Sequence, residues 1–138
     1  AERVTFRPVR WLDLGLNATQ RNDSATGEPV MAAGADFLFR LYETTVEGEV
    51  LTGESESGSR MAGAAVMAAY RLGAFEPGLR LEHLVPDLSD RRNGETEVTL
   101  GCNWQLHRQV RLQVNLVTNL APGQEAKHGL LVQVQGSY

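Results

Sequence analysis

The chain has 138 residues, a net charge of -4, 42% hydrophobic residues and a mean hydropathy of -0.26. This length fits a single domain, residues 1–138, and the composition excludes both a disordered chain and a helical membrane protein. The mild acidity argues against nucleic-acid binding, and the single cysteine, Cys102, excludes an intramolecular disulfide and a cysteine-based zinc site.

The first half of the chain alternates apolar and polar residues, which is the period of a β-strand with one apolar face. The segments WLDLGLNA, MAAGADFLFRLY and TVEGEVL all follow this pattern. MAGAAVMAAYRL alternates too, although its small residues also fit a buried helix. Its apolar stretch is shorter than the ~20 residues that a membrane-spanning helix needs.

The second half alternates more strictly. Its segments are GLRLEH, ETEVTLGCNWQL, QVRLQVNLVTN and the C-terminal HGLLVQVQGSY. Together the two halves predict an all-β, antiparallel fold of about eight strands. Before the first of them, Val4 and Phe6 alternate like the end of a further strand, and Pro8 predicts the start of a short turn.

Connections of two lengths separate the predicted strands. Long polar segments (QRNDSATGEP, GESESGSR, VPDLSDRRNGE and LAPGQEAKH) alternate with short ones (YETT, LGAFEPG and LHRQ). Tight turns at one end and longer loops at the other are typical of a transmembrane β-barrel. An interfacial aromatic girdle is predicted at the short-turn strand ends. Its members are Tyr42, Tyr70, Phe75, Trp104 and Tyr138.

Alternation is compatible with two opposite arrangements, because the apolar face either lines the interior of a soluble barrel or meets lipid. The loop sorting and the aromatic positions favour the lipid-facing arrangement. The ending adds a third argument, since it resembles the C-terminal signal that the barrel-assembly machinery reads in bacterial outer-membrane proteins. The predicted signal consists of Leu130, Val132, Val134, Gly136 and Tyr138. We therefore expect a bacterial outer-membrane location, with lipid and the assembly machinery as partners.

Four segments carry a family resemblance: RVTFRPV, GADFLFRLYETTVEGEVLTG, AAYRLGAFEPGLRLEHLVPD and EVTLGCNWQLHRQVRLQVN. They resemble the C-terminal half of the barrel in the phosphate-selective porin family (porins O and P). The resemblance implies a barrel of about sixteen strands, of which this chain supplies half. The alternative is a complete small barrel, whose interior would be filled by side chains.

Charged residues on the polar face of the predicted strands are the candidate lumen lining. They are Asp13, Asp36, Arg40, Glu47, Glu49, Arg71, Arg80, Glu82, Glu95, Glu97 and Arg111. An anion pore needs rings of Arg or Lys, and this mixed, acidic set offers none. Phosphate selectivity is therefore not part of the prediction. In a narrow closed barrel the same charges would have to form salt bridges.

Catalytic and metal-binding interpretations find little support. Glu47 and Glu49 share a strand face, as a pair of catalytic carboxylates would, but such acids are usually a solvated face. His83, His107 and His128 lack metal-ligand spacing. We expect no enzyme activity, no cofactor and no metal.

The sequence predicts a porin-like passive diffusion channel or part of one, either as a homo-oligomer or with a missing N-terminal barrel half. Two alternatives stay open. One is a small closed eight-stranded outer-membrane barrel with a structural or binding role. The other is a soluble lipocalin-like barrel that binds a ligand.

Overall fold

The computed structural model describes residues 2–22, 29–54 and 58–136, and it is all β apart from one short 3-10 helix at Arg91–Asn93. Nine strands follow one another along the chain. Their bounds are β1 Glu2–Val9, β2 Leu12–Asn22, β3 Pro29–Leu41, β4 Thr44–Glu54, β5 Arg60–Tyr70, β6 Phe75–Val85, β7 Glu95–His107, β8 Val110–Leu120 and β9 Lys127–Gly136. No helix in the described ranges is long and apolar enough to cross a membrane.

The nine strands form a single antiparallel sheet in which each strand pairs with its neighbours in sequence. Strands β1 and β9 are its two edges, so the sheet is open. The register is regular except for shifts between Phe6 and Val9 and between Gln105 and His107. The prediction of an all-β antiparallel fold is confirmed.

The strand count is nine rather than about eight because β1 is a full strand. It pairs with β2 from Glu2↔Ala18 to Val9↔Leu12. The sequence predicted that Pro8 begins a turn, but Pro8 lies within β1. It occupies the irregular part of that strand, where a missing N–H costs no ladder hydrogen bond. The turn follows at residues 10–11.

Two further segments differ from what the sequence alone indicated. Residues 60–70 are strand β5, which settles the choice between strand and helix. Strand β6 begins at Phe75, several residues before the predicted GLRLEH segment, and it contains Pro77. Pro77 is tolerated because pairing of β6 with β5 stops at Ala69↔Gly78, so the proline faces no β5 partner that needs its N–H.

The connections are sorted by length as predicted. Short connections lie at residues 10–11, 42–43, 71–74 and 108–109, and longer ones at 23–28, 55–59, 86–94 and 121–126. In an antiparallel meander these two sets lie at opposite ends of the strands. The sheet therefore has a short-turn end and a long-loop end.

The sheet is a single layer without a hydrophobic core. Among the residues whose burial is described, only Gly15, Gly48 and Gly94 are buried, and no hydrophobic side chain is. The accessible surface is 10167 Å². A compact protein of this mass would expose about 7,100 Å². One whole face of apolar side chains is consequently left uncovered by the chain itself.

Candidate functional site

The register divides the side chains into two chemically different faces. Cross-strand partners point to the same side of a sheet, so one row can be followed from β1 to β9. That row contains Phe6, Leu14, Phe37, Gly48, Val66, Leu81, Val98, Thr118 and His128. We call the side bearing this row the apolar face.

The opposite side is the polar face. One of its rows also spans nine strands. It contains Thr5, Gly15, Asp36, Glu49, Ala65, Glu82, Glu97, Asn119 and Lys127. Ten of the eleven candidate lumen residues occupy polar-face positions in the strands. The eleventh, Arg71, follows β5 and reaches the polar face through an ion pair with Glu76.

The polar face is the more shielded of the two. The side chains of Asp13 and Asp36 are 16% and 23% exposed, whereas Leu16 and Leu100 on the apolar face are 65% and 54% exposed. Along β5 the polar-face positions from Met61 to Ala69 are all half-buried, and most apolar-face positions are exposed. Greater shielding on one side is expected of the inner side of a curved sheet. A water-soluble sheet would shelter its apolar side instead.

An ion-pair cluster joins the first three strands across the polar face. Arg3 of β1 donates from Nη2 to Oδ1 of Asp36 in β3 at 2.6 Å. Arg7 donates to both carboxylate oxygens of Asp13, and Arg40 reaches the same carboxylate at 3.3 Å. Two acids thus hold three arginines, which leaves this part of the face positively charged.

A glycine makes possible the one of these contacts that reaches across an intervening strand. Arg3 and Asp36 lie on strands separated by β2, and Gly15 is the β2 residue directly opposite Asp36. A Cβ on Gly15 would lie 2.5 Å from the Asp36 carboxylate. A Cβ on Gly101 would likewise come too close to the side chain of Asn115. Glycine therefore leaves the space in which polar side chains lie flat on this face.

A second group of contacts lies on β6 and β7. Arg71 pairs with Glu76 at 3.5 Å, and Asn103 donates from Nδ2 to the other oxygen of Glu76 at 3.1 Å. Arg80 pairs with Glu82 on the same strand at 2.7 Å. At the far side of the sheet Arg111 donates to Gln135 at 2.5 Å. Side-chain hydrogen bonds on the polar face thus join β1 to β3, β6 to β7 and β8 to β9.

Four acids on the polar face have no cationic partner among the described residues. They are Glu47, Glu49, Glu95 and Glu97. Glu49 lies directly opposite Asp36, and Glu97 lies directly opposite Glu82. In each of these cross-strand pairs one acid has an arginine partner, whereas Glu49 and Glu97 have none. Such unpaired carboxylates are stable only where water reaches them.

Two of these acids, Glu47 and Glu49, line a groove of about 560 Å³ on the polar face. Charged residues from four strands line it. They are Arg3, Asp36, Glu47, Glu49 and Arg80. The groove brings both signs of charge together, including the unpaired Glu47 and Glu49.

The apolar face carries the aromatic residues at the short-turn end. Phe75 and Trp104 are cross-strand partners with stacked rings 5.2 Å apart. Trp11, in the first short turn, meets Phe39 edge to face at 5.4 Å. Tyr42 occupies the next short turn at a positive φ of 52° with 96% of its surface exposed. A bulky residue there is strained.

The predicted aromatic positions Tyr42, Tyr70, Phe75 and Trp104 are thus all at the short-turn end. Tyr138 lies outside the described residues. The sequence analysis did not include Trp11 in this aromatic set, although its position beside a short turn would have predicted it.

At the long-loop end the apolar face becomes polar. His83 Nδ1 lies 2.9 Å from Thr96 Oγ1, and Thr118 Oγ1 lies 3.0 Å from His128 Nδ1. Each pair joins adjacent strands at cross-strand positions. An apolar band therefore lies between an aromatic border and a border of histidine and threonine.

The C-terminal strand places its predicted signal on one face. Leu130, Val132, Val134 and Gly136 are partners of apolar-face residues on β8. Leu130 is 70% exposed and Val134 is 66% exposed. The shared face follows from the observed register, whereas recognition by the assembly machinery is a prediction.

Polar-face contacts also involve residues that the sequence analysis did not select. Arg3, Arg7 and Glu76 take part in three of the ion pairs. The first two lie on β1, whose full extent the sequence did not predict. Alternation would have placed them on the charged side had β1 been extended to Glu2.

No group of three or more potential ligands that could hold a metal ion occurs among the described residues. His83, His107 and His128 lie at separate places on the sheet.

Comparison with known proteins gives no match, whether to a family model, to a curated protein or to a solved structure.

Proposed function

We propose that the chain forms the wall of a bacterial outer-membrane β-barrel, with the apolar face against lipid and the polar face lining a water-filled lumen for passive diffusion. The observation that carries this proposal is the inverted shielding of the two faces. On the polar face the carboxylates of Asp13 and Asp36 and the positions along β5 are sheltered, while leucines and valines of the apolar face such as Leu16 and Val134 are exposed. Lipid is the environment in which that arrangement is favourable.

The borders of the apolar face support the same orientation. Tryptophan and tyrosine gather at membrane–water interfaces because their rings are amphipathic. The band between Trp104 and Thr96 is eight residues of β7 long, or about 26 Å along the strand. At a strand tilt of about 35–45° this length spans about 19–22 Å along the barrel axis, which is most of the apolar band of an outer-membrane barrel, about 25 Å tall.

We propose that the lumen is filled by water rather than by side chains. A plugged barrel would bury its charges, and each buried charge would then need a partner. Glu47 and Glu49 are exposed and have no cationic partner in the described part of the chain. The unpaired acids favour a diffusion channel, which the resemblance to the phosphate-selective porins also implies. This part of the wall would carry no anion-selective ring.

The two alternatives fit less well. A soluble lipocalin-like barrel would enclose its apolar face, which here is the more exposed face. A closed barrel of eight strands would require β9 to pair with β2, but the outer edge of β2 is occupied by β1.

Vesicle flotation tests the orientation of the faces. Val114 and Gln113 are neighbours on β8 that point to opposite faces. Val114→Lys should reduce the fraction of protein that floats with lipid vesicles, because lysine on the lipid face costs about 2–4 kcal/mol near the bilayer centre. Gln113→Lys should float like the unchanged protein.

The proposal is wrong if the unchanged chain stays monomeric in detergent-free buffer and does not float. It is also wrong if Gln113→Lys impairs flotation as much as Val114→Lys does.

A further inference from the structure

The arginines of the polar face gather at one end of the strands. Four of them lie within two residues of a strand end that meets a short turn, and among the described side chains only two polar-face acids lie as close. We call these six residues the short-turn band: Arg7, Arg40, Arg71, Arg111, Asp13 and Glu76. Because four cations face two anions there, the short-turn band has a surplus of positive charge.

The contacts within the short-turn band show where this surplus lies. Arg7 and Arg40 share the single carboxylate of Asp13. The side chain of Arg111 donates to the neutral Gln135 at 2.5 Å and pairs with no acid among the described residues. The remaining arginine and acid of the band form a balanced pair. One positive charge is therefore uncompensated beside Asp13, and another at Arg111.

The rest of the polar face has a surplus of the opposite sign. Six acids whose side chains are described lie three or more residues from the short turns, and we call them the acidic band. They are Asp36, Glu47, Glu49, Glu82, Glu95 and Glu97. The described polar-face cations at the same distance from the short turns are Arg3, Arg80 and Lys127. The acids outnumber these cations by two to one, so this part of the face is negative.

The two bands are far enough apart to act separately on a solute. On β4, Glu47 lies three residues from Thr44 at the short turn, or about 10 Å along the strand. On β6, Glu82 lies six residues from Glu76, or about 20 Å. Charges in salt water screen one another over about 10 Å at physiological ionic strength. A solute that moves along the polar face therefore meets a positive region and a negative region in succession.

We propose that the lumen favours zwitterionic solutes, and among them peptides of about three residues, with the carboxylate at the short-turn band and the ammonium group at the acidic band. An extended tripeptide spans about 10 Å, which is the distance from the short turn to Glu47. A simple ion is attracted by one band and repelled by the other, whereas a zwitterion places each charge beside its opposite. This inference rests on the proposed diffusion channel and adds the class of solute.

Swelling of proteoliposomes measures the preference. Vesicles that contain the full chain are diluted into triglycine or into N-acetyldiglycinamide, an uncharged peptide of similar size, with KCl at about 0.1 M on both sides. We expect triglycine to enter about threefold faster, since each RT of electrostatic attraction raises the local concentration about threefold. The difference should vanish at about 1 M KCl, because charges are then screened within about 3 Å.

Substitutions in each band separate the two contributions. Glu47→Gln with Glu49→Gln weakens the acidic band, and Arg111→Gln weakens the short-turn band. Each change should lower the ratio of triglycine entry to uncharged-peptide entry, and the triple variant should bring this ratio to about one. Gln113→Asn is the matched control, because it alters a polar-face residue of β8 without changing a charge, and it should keep the ratio of the unchanged protein.

Equal entry of the two peptides into vesicles with the unchanged chain would overturn the inference and leave the channel intact, since both solutes would still pass. An unchanged ratio in Arg111→Gln would also overturn it, because the acids alone would then account for the preference. Absence of swelling with either peptide would instead reject the diffusion channel, and the inference with it.

Discussion

Glycines on the polar face decide which charged side chains can meet. Gly15 leaves the space through which Arg3 reaches Asp36, two strands away. At this scale the chemistry of the polar face depends on the absence of a methyl group as much as on the charges.

Gly15→Ala should therefore destabilise the sheet by about 1–3 kcal/mol, the usual cost of forcing an atom into occupied space. The matched control is Gly129→Ala, since a Cβ on Gly129 of β9 meets nothing within 4 Å. Urea unfolding in detergent micelles measures both variants. Equal effects of the two substitutions would contradict the role assigned to Gly15.

At the scale of an element, the connection at residues 86–94 is the longest one at the long-loop end, and hydrogen bonds give it a defined conformation. Leu88 donates its N–H to Arg60 O, which ties the connection to β5. Asp87 accepts hydrogen bonds from the hydroxyl and the N–H of Ser89 at 2.7 and 2.8 Å. These bonds stabilise the carboxylate and hold the pKa of Asp87 below its ordinary value of 3.8.

The lowered pKa gives a pH dependence of known sign. The contribution of the Asp87 carboxylate to loop order is fully present above pH 3.8 and is lost as the pH falls through the lowered pKa. Ser89→Ala removes the larger of the two hydrogen-bond effects and should raise the pKa of Asp87. NMR titration of the Asp87 carboxyl carbon, assigned with Asp87→Asn, measures the shift. An unchanged pKa would show that the hydroxyl is not a significant donor.

The elements themselves were largely predictable from the sequence. Period-two alternation identified eight of the nine strands, because a sheet with one wet and one apolar face imposes that period. The extent of β1 and β6 was not predictable, since each contains a proline whose missing N–H is tolerated only at a place where pairing is interrupted. The strand nature of β5 needed its neighbours β4 and β6, because alternating small residues also suit a helix.

The charge of the whole polar face is set by pairing across strands. Three arginines hold two acids at one side of the polar face, and four acids elsewhere have no cationic partner within the described residues. The unpaired acids lie beside the polar groove or on neighbouring strands. In a water-filled lumen they attract cations.

The double substitution Glu47→Gln with Glu49→Gln should lower the permeability ratio of K⁺ to Cl⁻ about twofold, because it removes two uncompensated charges from the pore wall. Reversal potentials of the assembled protein in planar bilayers measure this ratio. Glu82→Gln is the comparison, since the Glu82 carboxylate is already paired with Arg80. Its removal should change the selectivity in the same direction but less. No difference between the unchanged protein and the double variant would contradict the lumen assignment of β4.

The sequence by itself determined the strands, their two faces and the sorting of their connections, because alternation and turn composition are local properties of the chain. It also indicated which charged residues share a face. Only the tertiary structure decided that there are nine strands, that both edges are free, and that the polar face is the sheltered one. Those properties depend on register and curvature, which bring together residues as distant in sequence as Arg3 and Asp36.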